Sequence, residues 1–295
     1  MVNMGENGFV PKSIAVAWHP SLDEAKIIAS EVTEVLQGHS VPRVDSFSLN
    51  DEAFRERLQE GRYDLTIALG GDGTMLRAGK LCAPVSVPVM GINLGHFGFL
   101  IETQRDEWRD RIDDLLAGEW ETDRRMMIRA EHYHEGKLLN VWDALNDVVI
   151  ARGLNIRPVH LNVRINDISL AEYVADGLIL ATATGSTSYA QSVGGPILRP
   201  DMRNMVLVPI ASNLCVDRSL VLLDSDTVNV TVSGYVETIV SADGHDVTLL
   251  DFGDRICISA SEHSALFVRF QDKGVFYRNV TRYMQRNPTI KGVRE

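Results

Sequence analysis

Cysteine is scarce in this sequence: Cys82, Cys215 and Cys257 are the only three in 295 residues. Their number and wide spacing exclude a disulfide framework and a zinc cluster. They read as free thiols of a reducing compartment. No run of about 18 apolar residues occurs, so no membrane-spanning helix is expected. The N-terminal stretch MVNMGENGFVPKS has no basic region followed by an apolar run, the mark of a secretion signal. These absences together point to a cytoplasmic location. Basic residues are in deficit, 29 Lys+Arg against 40 Asp+Glu, for a net charge of −11. A general nucleic-acid binder needs the opposite balance to neutralise phosphates, so that class is set aside. One local pocket for a nucleotide is compatible with the deficit. No solenoid or propeller repeat and no low-complexity tract is present.

What the chain does have is ordinary globular composition, 45% hydrophobic and 23% charged residues, enough to build sizeable cores. At about 150 residues per domain the length predicts two of them. The first third alternates strands and helices. Ser13–Trp18, Asp64–Leu69 and Val87–Asn93 are short apolar runs of the buried-strand type, and Val41–Leu49 is a weaker strand. Ser21 with Glu24 three residues on reads as a capping box opening a helix to about Gln37. Asp51–Glu60, Met75–Leu81 and Glu107–Ala117 also read as helices. Near-continuous apolar strands between helices imply a Rossmann-like parallel sheet covered on both faces. Beyond Thr122–Arg125 the pattern changes. Val228–Gly234, Thr238–Gly244, Ile256–Glu262 and Ala265–Phe270 are short strands with turn signals between them, the pattern of an all-β sandwich. Val275–Arg286 returns to helical spacing. The expected division is 1–122 for an α/β domain and 123–274 for a β-sandwich, with the tail 275–295 docking back on the first.

Five stretches carry chemistry. Gly70-Gly71-Asp72-Gly73-Thr74 follows a strand and precedes a helix. Glycines permit close backbone approach, and the helix start offers unpaired N–H groups to a phosphate. A carboxylate is repelled by phosphate unless it holds a metal or takes a proton from an attacking hydroxyl, so Asp72 points to phosphoryl transfer. Neither a P-loop nor a G-x-G-x-x-G fingerprint is present: Leu81 stands where a P-loop after Gly79-Lys80 needs Ser or Thr. Asn93–Leu100 (NLGHFGFL) leaves the end of another strand, where open α/β sheets bind ligands. Asn146-Asp147 interrupts the apolar run Ala144–Ile150 and needs partners there. Asp176–Tyr189 (DGLILATATGSTSY) leads a strand into a bend rich in hydroxyls, with Tyr189 offering a flat face to a base. Ser241–His245 (SADGH) reads as a turn between strands.

Taken together, these stretches resemble the NAD kinase family. Its G-G-D-G-T is Gly70–Thr74, and its N-x-G-x-L-G-F is Asn93–Phe99, with Phe97 where Leu is usual. Its N-E/D pair is Asn146-Asp147, and its D-G-x-x-x-x-T-P-T-G-S-T-A-Y is Asp176–Tyr189. One G-G-D-G-T is shared with lipid kinases; the later motifs in this order are far more specific. The resemblance implies an α/β domain followed by a β-sandwich. It also implies transfer of the γ-phosphoryl of ATP, or of polyphosphate, to the 2′-hydroxyl of the adenosine ribose of NAD. Asp72 would be the base, and Gly71, Gly73, Thr74 and Arg77 would meet phosphates. Phe99 would pack near the adenine, and Asn93 could face the same crevice as Asp72. Asn146 and Asp147 would bond the dinucleotide, with Asp176 beside them. Thr187, Ser188, Tyr189 and Ser192 would shape the adenosine pocket, and Arg157 and His245 would add ligand contacts. A divalent ion, Mg²⁺ or Mn²⁺, would arrive with ATP, with no protein metal ligands expected. The resemblance further implies a homodimer or homotetramer.

Two segments depart from the family pattern. Thr182-Ala183-Thr184-Gly185 lacks the proline of T-P-T-G. Ser212–Ser219 keeps only Arg218 of P-H-x-L-S-x-R-P. The second departure motivates the main alternative, a non-catalytic NAD(P) sensor on the same fold. A lipid kinase is the weaker alternative, because the Thr184–Tyr189 loop suits a polar adenosine.

Overall fold

The computed structural model describes residues 9–95, 98–212, 218–271 and 274–285. It divides into two compact units, Met1–Arg124 with Leu266–Glu295, and Arg125–Ala265.

The first unit is α/β. Its elements are β1 (Ser13–Trp18), α1 (Asp23–Gly38), β2 (Arg43–Ser48), α2 (Glu52–Gln59), β3 (Leu65–Gly70), α3 (Asp72–Cys82), β4 (Val89–Asn93), β5 (Thr103–Gln104) and α4 (Trp108–Ala117). Strands β2, β1, β3, β4 and β5 lie side by side, all parallel. Strand β3 is buried along its whole length, as its unbroken apolar sequence requires. Helix α1 buries Ala25, Ile28, Ala29, Val32 and Leu36, one apolar stripe at helical spacing. That stripe joins Ile14, Val16, Ile67, Leu69, Ile92 and Trp108 in a single core. The expected capping box does not form. The helix begins at Asp23 with Leu22 as its N-cap, and the Ser21 N–H donates instead to His19 Nδ1. Helix α3 begins three residues earlier than Met75, directly at Asp72, because Gly71 supplies the extended N-cap.

The second unit is all-β. The chain enters it along β6 (Glu121–His134). Next come β7 (Lys137–Ala144), β8 (Asp147–Arg152), β9 (Val159–Ile165), β10 (Ile168–Ala175) and β11 (Gly177–Thr182). A short helix α5 (Tyr189–Ser192) follows, then β12 (Asn204–Ile210), β13 (Leu220–Leu223), β14 (Val228–Val232), β15 (Thr238–Ala242), β16 (His245–Leu250) and β17 (Arg255–Arg269), along which the chain leaves. One sheet runs β13-β12-β11-β8-β15-β16, and the other joins β10, β9, β14 and β17, with β6 on β17 and β7 on β6. Their facing side chains, among them Ile128, Val148, Leu161, Leu180, Leu207 and Ile256, make one core. Alternate residues of β11, Ile179 and Ala181, face the other way onto Ala183, Ala190 and Leu198. Both faces of β11 are therefore covered, which explains its continuous apolar sequence. Two strands expected around a turn at residues 262–265 are one strand, β17. No glycine or proline breaks Ser261–Ser264, and Glu262 is tied to Arg129 of β6 at 3.0 Å. Helix α6 (Val275–Gln285) belongs with the first unit. Among the described residues, no helix is long and apolar enough to cross a membrane.

Candidate active site

In the first unit the functional features gather where β3 becomes α3. Asp72 is the first residue of α3, and its carboxylate turns to the segment after β4. It accepts the N–H of Phe99 at 2.7 Å and of Leu100 at 3.2 Å. Burial pushes the Asp72 carboxyl above its ordinary range. The N–H groups of Phe99, Leu100 and Ile101 and the charge of Arg269 offset that only in part. A carboxylate raised in this way is better matched to accepting a proton at neutral pH. Arg269 secures the same segment by donating to the Leu100 carbonyl at 2.8 Å, and it faces Asp123 at 3.3 Å and Glu102 at 3.5 Å. A side chain at position 98 has no room: a Cβ on Gly98 would stand 2.2 Å from the Asp72 carboxylate.

The glycines of the turn divide by role. A Cβ on Gly70 would strike the Thr74 hydroxyl, so that glycine serves packing. A Cβ on Gly71 or Gly73 would meet nothing within 4 Å, so packing does not demand those two. They leave the start of α3 open to an approaching group. Thr74 is buried, and among the described residues its hydroxyl has no hydrogen-bond partner. A buried hydroxyl in the first turn of a helix, lacking such a partner, can donate to an incoming acceptor. Arg77, one turn on, bonds the Asn50 side chain. Asn93 is buried at the end of β4, donating to Gln104 at 3.3 Å and accepting the Gly95 N–H at 3.0 Å.

In the second unit Asn146 and Asp147 lie at the start of β8. They are held by Thr182, whose N–H donates to the Asn146 carbonyl and whose hydroxyl donates to the Leu145 carbonyl at 2.6 Å. Gly185 packs so closely that a Cβ there would come within 2.0 Å of the Asn146 carbonyl. The hydroxyl-rich bend Thr182–Thr187 therefore seats directly on the Asn146-Asp147 pair. Thr184 is buried and accepts a 3.3 Å bond from Arg125. Thr187 bonds the Thr184 carbonyl, and Ser188 precedes α5 with Tyr189 and Ser192 exposed on it.

Sequence reasoning missed Asp243. It sits in the Asp-Gly turn between β15 and β16, and its carboxylate accepts the N–H of Leu145, Asn146 and Asp147. The burial of Asp147, then the charge of Asp243, push the Asp147 carboxyl up to about 7. His245, two residues on from Asp243, is exposed at the start of β16. Two other expected contacts stand apart from the pair. Asp176 pairs with Arg152 at 3.1 Å, at the far end of β11 from Asp147. The register matches Gly177 with Ala151 and Ala181 with Asp147. Five residues of strand separate them, about 17 Å, so Asp176 does not lie beside Asn146 and Asp147 in the same chain. Arg157 is exposed on the loop between β8 and β9. Residues 96, 97 and 213–217, including most of the altered Ser212–Ser219 segment and Cys215, lie outside the described residues.

A parallel α/β unit with a seated carboxylate at a glycine-built helix start, joined to a β-sandwich, defines a class of phosphotransferases. Comparison with known proteins narrows the class. Residues 33–120 match the model of the ATP-NAD kinase N-terminal domain, and residues 145–270 that of the ATP-NAD kinase C-terminal domain. An NAD kinase of Chloroflexus aggregans is 35% identical over 93% of this chain and 99% of its own. One from Treponema pallidum is 36% identical over 86% of this chain and 83% of its own. The crystal structure of yeast NADH kinase complexed with NADH superposes with a TM-score of 0.78 at 22% identity, over 94% of this chain and 89% of that one. An NAD kinase from Archaeoglobus fulgidus in complex with ATP gives a TM-score of 0.73 at 24% identity, over 91% and 98%. At those identities the two structures speak for the fold. The chain belongs to the NAD kinase family.

Proposed function

We propose that this chain transfers the γ-phosphoryl group of ATP to the 2′-hydroxyl of the adenosine ribose of NAD, giving NADP and ADP. Asp72 takes the hydroxyl proton. The freed oxygen lone pair attacks the γ-phosphorus, and the bond to the β-phosphate oxygen breaks with its electrons leaving on ADP. The observation that carries this reading is the Asp72 carboxylate, raised by burial and held by two backbone N–H groups at the start of α3. Gly71, Gly73 and the Thr74 hydroxyl meet phosphate oxygens, and Arg77 adds positive charge one turn into the helix. Asn146 and Asp147 bond the dinucleotide. Thr187, Ser188, Tyr189 and Ser192 shape the adenosine pocket, with Phe99 near the adenine, Asn93 facing the same crevice as Asp72, and Arg157, Asp176 and His245 as further contacts.

The divalent ion, Mg²⁺ or Mn²⁺, enters as the complex of ATP and offsets phosphate charge. Glu102 and Asp123 both face Arg269, at 3.5 and 3.3 Å. Free thiols at Cys82 and Cys257 support a cytoplasmic location, and family membership supports a homodimer or homotetramer. The test is NADP formation from NAD, ATP and Mg²⁺ by the purified chain, read with an NADP-specific dehydrogenase. NADP accumulation is expected. NAD binding without NADP from ATP or polyphosphate would refute the kinase and leave a sensor.

A further inference from the structure

Asp243 forms a lock with the Asn146-Asp147 pair. It has φ 53 and is nearly buried, at 8% exposure. Its carboxylate accepts three successive N–H groups, at 3.0 Å from Leu145, 2.7 Å from Asn146 and 3.2 Å from Asp147. Its own N–H donates to the Asp147 carbonyl at 2.9 Å. Three N–H dipoles point at the Asp243 carboxylate charge. That charge stands against Asp147, whose side chain is 4% exposed. Asp147 titrating at about 7, through burial and then the charge of Asp243, is the electrostatic consequence. A neutral carboxyl both donates and accepts, whereas an ionised one only accepts.

We propose that Asp243 is a positioning residue for dinucleotide binding, fixing the backbone of Asn146-Asp147 so that Asp147 is presented as a hydrogen-bond donor to a ribose hydroxyl. This rests on the reading that Asn146 and Asp147 hold NAD. The other charged groups around the pair are Arg125 of β6, bonded to Thr184, His245 at the start of β16, and Asp143 of β7, paired with Arg129. None of these three replaces Asp243 in its contact with the backbone at 145–147.

The test is NAD binding by the full chain, without ATP, followed by calorimetry from about pH 6 to about pH 9. Wild-type affinity falls as pH rises through 7. Asp243→Asn, which keeps a residue tolerant of positive φ, moves that midpoint down by about one pH unit. Asp147→Asn, with a permanent donor, makes binding independent of pH across the range. A merely structural Asp243 would change the melting temperature and leave the midpoint in place, and that result overturns the proposal. So does a profile flattened by His245→Gln and untouched by Asp147→Asn. Absence of NAD binding in the wild-type chain would refute the family function itself, a different failure from an unmoved midpoint. Should Asp243→Asn not fold, the Asp147→Asn profile still decides whether that carboxyl is the titrating donor.

Discussion

Gly98→Ala tests the seat of the base without touching the base. A Cβ at position 98 would stand 2.2 Å from the Asp72 carboxylate. Ordinary contact is about 3.4 Å, so one of the two must move by roughly 1.2 Å. The Gly98 backbone leads straight into Phe99 and Leu100, whose N–H groups hold Asp72 and whose carbonyl at 100 is held by Arg269. The carboxylate is the freer partner and is the group displaced. Bonds of 2.7 and 3.2 Å then stretch past hydrogen-bond range. Misplacing a catalytic group by about 1 Å costs on the order of 100-fold in rate. The expected result is a kcat about 100-fold below wild type, with KM for NAD little changed, because the Asn146-Asp147 pair proposed to hold the dinucleotide is untouched. Lost carboxylate bonds lower stability by about 1–3 kcal/mol, read from urea unfolding. Steady-state kinetics with the coupled NADP assay gives the rates. A kcat within threefold of wild type in a folded Gly98→Ala chain would refute the requirement for this seat.

Three further outcomes follow from the same geometry. Thr74→Val removes a buried hydroxyl that has no partner among the described residues. It should stabilise the chain by about 1 kcal/mol while raising KM for ATP, a split that thermal melts and kinetics measure together. Gly185→Ala would drive a Cβ to within 2.0 Å of the Asn146 carbonyl. Because the obstacle is backbone, the bend must lift off the pair, with a loss of about 2–4 kcal/mol in stability and weakened NAD binding by calorimetry. The third concerns pH. The folded Asp147 carboxyl titrates at about 7, above its ordinary value of 3.8, so the folded chain holds that proton more tightly. Its contribution to stability is complete below about pH 4 and is lost as pH rises through 7, by up to about 4 kcal/mol. Urea unfolding across this range should show a slope that Asp147→Asn lacks.

Local chemistry was legible wherever it interrupts a pattern. Gly70–Thr74 breaks an apolar strand, and Ser13–Trp18 is bounded by polar residues, so both elements fall where the sequence places them. Partnerships across long loops were not legible. Asp72 finds its N–H donors 27 and 28 residues away, and Asp243 finds its own 96 to 98 residues away. Nothing in Ser241–His245 distinguishes an ordinary Asp-Gly turn from one that anchors a binding pair. Strand register is equally hidden. Asp176 opens the motif that ends on the hydroxyl-rich bend, yet antiparallel pairing carries it to the opposite end of β11 from Asp147. The extra turn expected in β17 came from polar residues there, which cross-strand partners such as Arg129 absorb without a bend.

The most direct test of Asp72 as the base is single-turnover phosphoryl transfer by wild type and Asp72→Asn, each saturated with NAD and Mg·ATP. The asparagine side chain keeps the size of the aspartate and one acceptor for the Phe99 and Leu100 N–H groups but cannot take a proton. The predicted result is a transfer rate lower by about 10²–10⁴-fold with NAD affinity within a few-fold of wild type. An Asp72→Asn chain that forms NADP at the wild-type rate would contradict the account.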